Sequence, residues 1–340
     1  MRGPIVYDET AAPTAVQIKS WVAALDLPAR DWQVIRLLLG RIVLLGYDKT
    51  GVPDWVLKAG SGERPHEASF ERAAANARIL RTLAQVSGAR WLVTADPDAY
   101  RKGRAGDFAL LAQPHLPGRP LAPEHRLSIG EMTTLGYDTP TLLKVMGWLE
   151  SLTSADAGIV SNTFVRAPYV AHMIARLAER LVALVSDDGL APQEADQINA
   201  EFARRINAAP LRPVFGHGEL TPWHVLRRPD GKLSLIDLET MGIDVAGADL
   251  SVLVMRTWAL NAAPTVAEHF LRAYRERLSG VAHDELEAEL AWQWLYAAVR
   301  TRKESLTWRE RGEALSFWDW ATRDLGLAAA TVTEAENESS

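Results

Sequence analysis

The distribution of apolar and polar residues divides the chain into a strand-rich first third and a helical remainder. Leucine-rich or β-branched runs fill WQVIRLLL, RIVLLGY and VPDWVLKAG, parted by Gly40 and the DKTG turn at 48–51. They predict an antiparallel meander. Before it, Val16, Trp21, Val22 and Leu25 suit an N-terminal helix capped by Thr14. After it, Phe70, Ala73, Ala77, Leu80 and Ala84 recur at helical spacing, which predicts a helix packed on that sheet. RWLVTA at 90–95 and DFALLAQ at 107–113 read as two more strands.

Four prolines and a glycine in PHLPGRPLAP, residues 114–123, predict an extended connection that is neither sheet nor helix. Beyond it, helical patterns follow one another: TLLKVMGWLESL, YVAHMIARLAERLVALV, QINAEFARRI, LSVLVMRTWAL, VAEHFLRAYRERL and HDELEAELAWQWLYAAVRTRKE. Two short strands joined by a turn at Asp230 and Gly231 interrupt them. The expected organisation is therefore α+β. A small antiparallel-sheet lobe with its helix spans 1–113, a linker spans 114–123, and a larger, mainly helical lobe spans 124–330. The small, polar, acidic end, 331–340, reads as a disordered tail.

Composition narrows the chemistry. The 340 residues are 48% hydrophobic and 24% charged, ordinary for a globular protein, and suffice for two lobes. Lys and Arg number 37 against 43 Asp and Glu, a net charge of -6 with no basic block, which argues against a nucleic-acid partner. No run of about 18 apolar residues predicts a membrane span, and the acids and proline near the start do not form a signal peptide. The expectation is a cytoplasmic protein. With no cysteine in the chain, thiolate metal sites and cysteine nucleophiles are excluded.

The candidate chemistry lies in HGELTPWHVL, residues 217–226, and in LIDLET, which carries Asp237. An acid flanked by Leu235 and Ile236 on a buried strand costs free energy unless it is paired or metal-bound. A zinc hydrolase built on His217, Glu219, His224 and Asp237 lacks the cysteines of the deaminase signature, and the chain has no HExxH helix.

A strand ending Val56-Leu57-Lys58, then a helix, a linker, a His-Gly-acid turn and a following Asp resembles the order of parts in the aminoglycoside phosphotransferase and choline kinase group. That resemblance implies a bilobal protein-kinase-like fold and transfer of phosphate from ATP or GTP, with Mg²⁺, to a hydroxyl of a small molecule. It assigns the nucleotide's phosphates to Lys58 and places Gln113 and His115 in the nucleotide-binding hinge QPHLPGRPL. Glu219 takes the place of the base, His217 a structural place beside it, and Asp237 the metal, with His224 and Glu239 as further metal candidates. Asp249 in GADLSVLV matches an aspartate that supports the loop.

The chain departs from the family pattern at informative points. The family loop reads His-Gly-Asp, a few residues, then Asn; here Glu219 and His224 stand at those positions. Imidazole nitrogen suits Mg²⁺ less than an amide oxygen does. The helix after Lys58, which in the family supplies a glutamate to the lysine, presents Asn76 in that slot, with Glu71 and Glu67 five and nine residues earlier, so the partner stays open. Only LLGR with Gly40 stands where a glycine-rich phosphate loop is expected. These changes leave a second class in play, a kinase-like protein that binds nucleotide without transferring phosphate.

Simpler roles compete at single positions. Lys58 can be a surface lysine, Glu219 a solvated turn acid, and the acids of 283–289 a solvated helix face. Trp292, Trp294, Trp308, Trp318 and Trp320 suit either core or an acceptor pocket.

Overall fold

Thr14 closes a capping box at the start of the first helix: its Oγ1 accepts from the Gln17 N–H at 3.2 Å, and Gln17 Oε1 accepts from the Thr14 N–H at 2.9 Å. The helix that follows, α1 (Ala15–Ala24), buries Trp21. The computed structural model describes residues 5–6, 12–28, 31–38, 40–61, 66–121, 138–152, 164–187, 189–261, 264–277, 283–305 and 311–325. By their own contacts these fall into two units. One takes the described residues up to Pro120 together with His224–Met241, and the other takes the rest.

The first unit is built on strands β1 (Ile5–Val6), β2 (Asp31–Leu38), β3 (Arg41–Tyr47), β4 (Pro53–Gly60), β5 (Arg101–Ala105) and β6 (Phe108–Pro114), in the spatial order β1-β2-β3-β4-β6-β5. β1 runs parallel to β2, and every other pairing is antiparallel. Because side chains alternate along a strand, the register divides the sheet cleanly. Ile42, Leu44, Leu57, Ala59, Leu110 and Ala112 form one face and make a core with Trp21 of α1 and Leu25 just after it. Lys58 pairs across from Leu111 on the opposite face, where Phe70 and Ala73 of α2 (His66–Val86) pack on Ala109 and Leu111. Gln113, two residues beyond Leu111, shares the Lys58 face.

Two expectations in this region need correction. RWLVTA does not form a strand: Leu92 makes a single bridge with Leu233, and the chain then enters a 3₁₀ turn at Pro97–Ala99 capped by Asp96. Its pairing consists of the Val93 N–H donating to the Leu233 carbonyl and the Leu233 N–H to that of Trp91, each at 2.8 Å. The 114–123 connection is not wholly free of sheet. Arg119–Pro120 forms β7, which pairs with β9 (Val225–Arg227), itself in a hairpin with β10 (Leu233–Leu235). That hairpin lies in the helical part of the sequence yet packs with the first unit.

The second unit holds helices α3 (Thr139–Ser151), α4 (Arg166–Ser186), α5 (Pro192–Ala208), α6 (Ala248–Asn261), α7 (Pro264–Arg277), α8 (His283–Ser305) and α9 (Arg311–Thr322). With them is a two-stranded pair of β8 (Pro213–Gly216) and β11 (Gly242–Val245). Trp292 meets Phe202 and Tyr169 edge-on, and Trp258 gathers Phe317 and Trp320, so the described tryptophans at this end pack mainly against other aromatics of the unit. Trp308 and the tail 331–340 lie outside the described residues.

The acids of 283–289 are not all solvated. Glu289 is fully buried and accepts the Arg212 N–H at 2.6 Å, and burial raises its pKa. Among the described residues no helix is long and apolar enough to cross a membrane.

Candidate active site

Lys58 sits near the end of β4, 8% exposed, on the sheet face that carries α2. Its Nζ donates to Asp237 Oδ1 at 2.6 Å and to Glu239 Oε1 at 2.9 Å. An ammonium in such a place costs several kcal/mol unless paired. Burial pulls its pKa down, but the two carboxylates outweigh that pull and the net shift is upward. Both acids answer in the opposite sense: burial alone would raise them, and Lys58 instead holds each below its ordinary range.

Asp237 is not on a strand, as the sequence had led us to expect. β10 ends at Leu235, and Asp237 takes left-handed dihedrals, φ 62 and ψ 51, ahead of a 3₁₀ turn at Leu238–Thr240. Asp is among the few residues that visit this region, and such strain concentrates at functional positions. The conformation lets Asp237 and Glu239, two residues apart, both reach Lys58. Asp237 Oδ2 lies 3.4 Å from Nε2 of buried His224, and the Ile236 N–H donates to the His224 carbonyl at 3.0 Å.

Glu239 is held on both oxygens. Its Oε2 accepts from Ser69 Oγ at 2.5 Å and meets Arg41 Nη2 at 2.9 Å. The turn that carries it is clamped by α2: Asn76 Nδ2 donates to the carbonyls of Leu238 at 2.6 Å and Met241 at 2.9 Å, and Arg72 Nε to that of Glu239 at 3.2 Å. The acids of α2 do not reach the lysine. Glu67 pairs with Arg104 at 2.9 Å and Glu71 with Lys102, all four side chains exposed, on the side of edge strand β5.

Gln113 is buried on the Lys58 face, and His115 follows β6, its N–H donating to the Asp54 carbonyl at 2.8 Å. Burial lowers the His115 pKa.

In the second unit the loop after β8 is organised by Asp249, in the first turn of α6. Asp249 Oδ2 accepts the His217 N–H at 2.7 Å and Oδ1 the Leu220 N–H at 3.3 Å. His217 is fully buried. Gly216 permits the approach, since a Cβ there would stand 3.2 Å from Asp249 Oδ2, and Gly218 turns the chain at φ 78. Glu219 is no free turn acid: its Oε1 lies 2.9 Å from Arg256 Nη2 of α6 and 3.5 Å from Arg300 Nη2 of α8.

The sequence had not pointed to Ser69, Arg41, Arg256 or Arg300. Ser69 and Arg41 gave no periodic signal, and the two arginines lie 37 and 81 residues from Glu219, beyond any local pattern. Among the described residues no group of three or more His, Asp or Glu is placed to hold a metal ion.

Residues 38–291, three quarters of the chain, match the family model described as the phosphotransferase enzyme family. The chain belongs to that family. Solved phosphotransferases share its fold. An aminoglycoside phosphotransferase, APH(4)-Ia, is 15% identical in a complex with a nucleotide analogue and hygromycin B, covers 93% of this chain and 100% of its own, and gives a TM-score of 0.60. The GDP and kanamycin complex of APH(2")-IIia is 14% identical over 92% of this chain and 97% of its own, with a TM-score of 0.53. The macrolide 2'-phosphotransferase MphH from Brachybacterium faecium is 20% identical over 88% of this chain and 97% of its own, at 0.50. None of the curated proteins compared with the chain matches it. The α+β, kinase-like expectation is thereby borne out for this phosphotransferase, and at these identities the solved structures speak to the fold alone.

Proposed function

We propose that this phosphotransferase moves the terminal phosphoryl group of ATP or GTP to a hydroxyl of a small molecule. The observation that carries the reading is the convergence of Lys58 with Asp237 and Glu239: a buried cation kept charged by two ionised carboxylates. Phosphoryl transfer asks a protein mainly for positioning and charge compensation, and this cluster offers both. Lys58 serves the nucleotide's phosphates, whose oxygens compete with Asp237 for the ammonium. Gln113, on the same sheet face, and His115, just after β6, are the residues for the base end of the nucleotide.

The donor set fits Mg²⁺. That ion is commonly held by one or two carboxylates plus phosphate oxygens and water, and Asp237 is a carboxylate kept ionised. When bound, Mg²⁺ neutralises charge on the transferring phosphoryl group. His224 Nε2, beside the other Asp237 oxygen, orients that carboxylate. In its own unit Glu219 accepts the proton of the acceptor hydroxyl, with Arg256 holding its carboxylate in place. The acceptor is a hydroxylated small molecule, the class to which the hygromycin B and kanamycin bound by the structural relatives belong.

A second reading, nucleotide binding without transfer, draws on the same contact, because a carboxylate tied to arginine is a weaker base. Calorimetric titration of ADP and GDP with and without Mg²⁺ on wild type and Asp237→Asn tests the nucleotide site. Binding tightened by Mg²⁺ only in wild type supports the nucleotide site that both readings share, phosphate transfer to an acceptor then separates them, and absence of any binding contradicts both.

A further inference from the structure

We propose that Glu239 is the positioning residue of Lys58, replacing a carboxylate that α2 does not supply; this rests on the reading of Lys58 as a phosphate ligand. Lys58 needs a fixed anion beside it, since an ammonium on a flexible four-carbon stem has no preferred direction of its own. Asp237 cannot be that anion while it also serves the metal. The acids of α2 are committed to Arg104 and Lys102 on the exposed side.

Glu239 meets the requirement on geometry. One oxygen faces Lys58 at 2.9 Å while the other is fixed by Ser69 at 2.5 Å and Arg41 at 2.9 Å, so the carboxylate cannot rotate away without giving up both. Its backbone is equally constrained: Asn76 and Arg72 bind the carbonyls of Leu238, Glu239 and Met241. Helix α2 thus acts on Lys58 through the turn it clamps, with Asn76 holding two of the three carbonyls and Arg72 the third. A carboxylate engaged on both oxygens is correspondingly unsuited to a metal, which separates the roles of the two acids: Asp237 for Mg²⁺, Glu239 for the lysine.

The two roles separate under chelation. Affinity for ADP is measured by calorimetry in EDTA and in excess Mg²⁺ for wild type, Glu239→Gln, Asn76→Ala and Asp237→Asn, with thermal melts as folding control. Glu239→Gln is expected to weaken ADP roughly tenfold in both conditions, the scale of one lost charge-assisted interaction, while keeping the gain from Mg²⁺. Asp237→Asn loses that gain while binding ADP in EDTA at least as tightly as wild type, because it removes the carboxylate that competes for Lys58. Asn76→Ala, which leaves every charge in place, weakens EDTA binding several-fold and carries the test if Glu239→Gln does not fold. Wild-type EDTA affinity in Glu239→Gln, or in Asn76→Ala where Glu239→Gln does not fold, would overturn the assignment while leaving the proposed function standing. A wild-type protein that binds neither ADP nor GDP would remove the proposed function, and this inference with it.

Discussion

Arg256 Nη2 lies 2.9 Å from Glu219 Oε1, so the acid of the HGEL loop is anchored by a guanidinium from α6. The extra methylene of Glu219 relative to aspartate is thereby accounted for: it is the length at which the carboxylate meets Arg256. Glu219→Asp is expected to lower kcat about 10²-fold, the scale of a misplacement near 1 Å, instead of restoring a lost activity. Glu219→Gln lowers kcat by roughly 10²–10⁴ through loss of the base, with the nucleotide KM little changed. Steady-state kinetics with the best acceptor distinguishes these outcomes from a KM effect.

Removing Lys58 takes the ammonium from both Asp237 and Glu239 in a largely buried place, and leaves Arg41 at Glu239 as the nearer remaining cation. Lys58→Met is expected to cost about 3–5 kcal/mol at pH 7, read by denaturant unfolding. The sign with pH follows from the shifts. Asp237 and Glu239 are lowered, so their contribution is full above about pH 4 and fades as pH falls through their folded values. Lys58 is raised, so its contribution is full below about pH 10 and fades as pH rises through its folded value. The penalty of Lys58→Met should therefore shrink in acid, where the carboxylates take up protons.

Asp249 holds two amides of the Glu219 loop, those of His217 and Leu220. Asp249→Ala strands both donors and is expected to cost about 1–3 kcal/mol for each donor left unsatisfied. Hydrogen exchange at the His217 amide should accelerate by more than the global loss of stability accounts for, because the loop opens locally.

Glu150 gives a pH dependence of opposite sign. Burial raises its pKa, although the Tyr274 hydroxyl donates to its Oε1 at 2.8 Å and the Gly247 N–H at 3.4 Å. The folded protein therefore holds a proton there that the unfolded chain releases, and stability falls as pH rises above about 4 until the folded group ionises. Glu150→Gln keeps an oxygen for both donors and removes the ionisation. Its melting temperature relative to wild type should climb as pH rises above about 4, and level off once the folded Glu150 of the wild type ionises.

Much of this was legible in the sequence because it is local. The apolar runs RIVLLGY and VPDWVLKAG mark neighbouring strands and put Lys58 near a strand end, and HGEL followed by an acid within an apolar run marks the loop and Asp237. What stayed hidden depends on contacts far apart in the chain. Asn76 reads as the loss of a glutamate, and only the 3₁₀ turn at Leu238–Thr240 reveals that the glutamate has moved to 239. RKGRA at 101–105 forms an edge strand without an apolar face, so it lacks the alternation that betrays its neighbours. Glu289 looked like one of several helix-surface acids, yet it is buried and accepts the backbone N–H of Arg212, 77 residues away in the chain.

The most direct test of the account is transfer itself. Wild type, Asp237→Asn and Glu219→Gln are incubated with γ-labelled ATP or GTP, Mg²⁺ and a panel of hydroxylated acceptors, and labelled phosphate esters are separated and counted. The account predicts acceptor-dependent ester formation by wild type, abolished by EDTA and by Asp237→Asn and reduced at least 10²-fold by Glu219→Gln. Nucleotide binding with no labelled ester from any acceptor would contradict it.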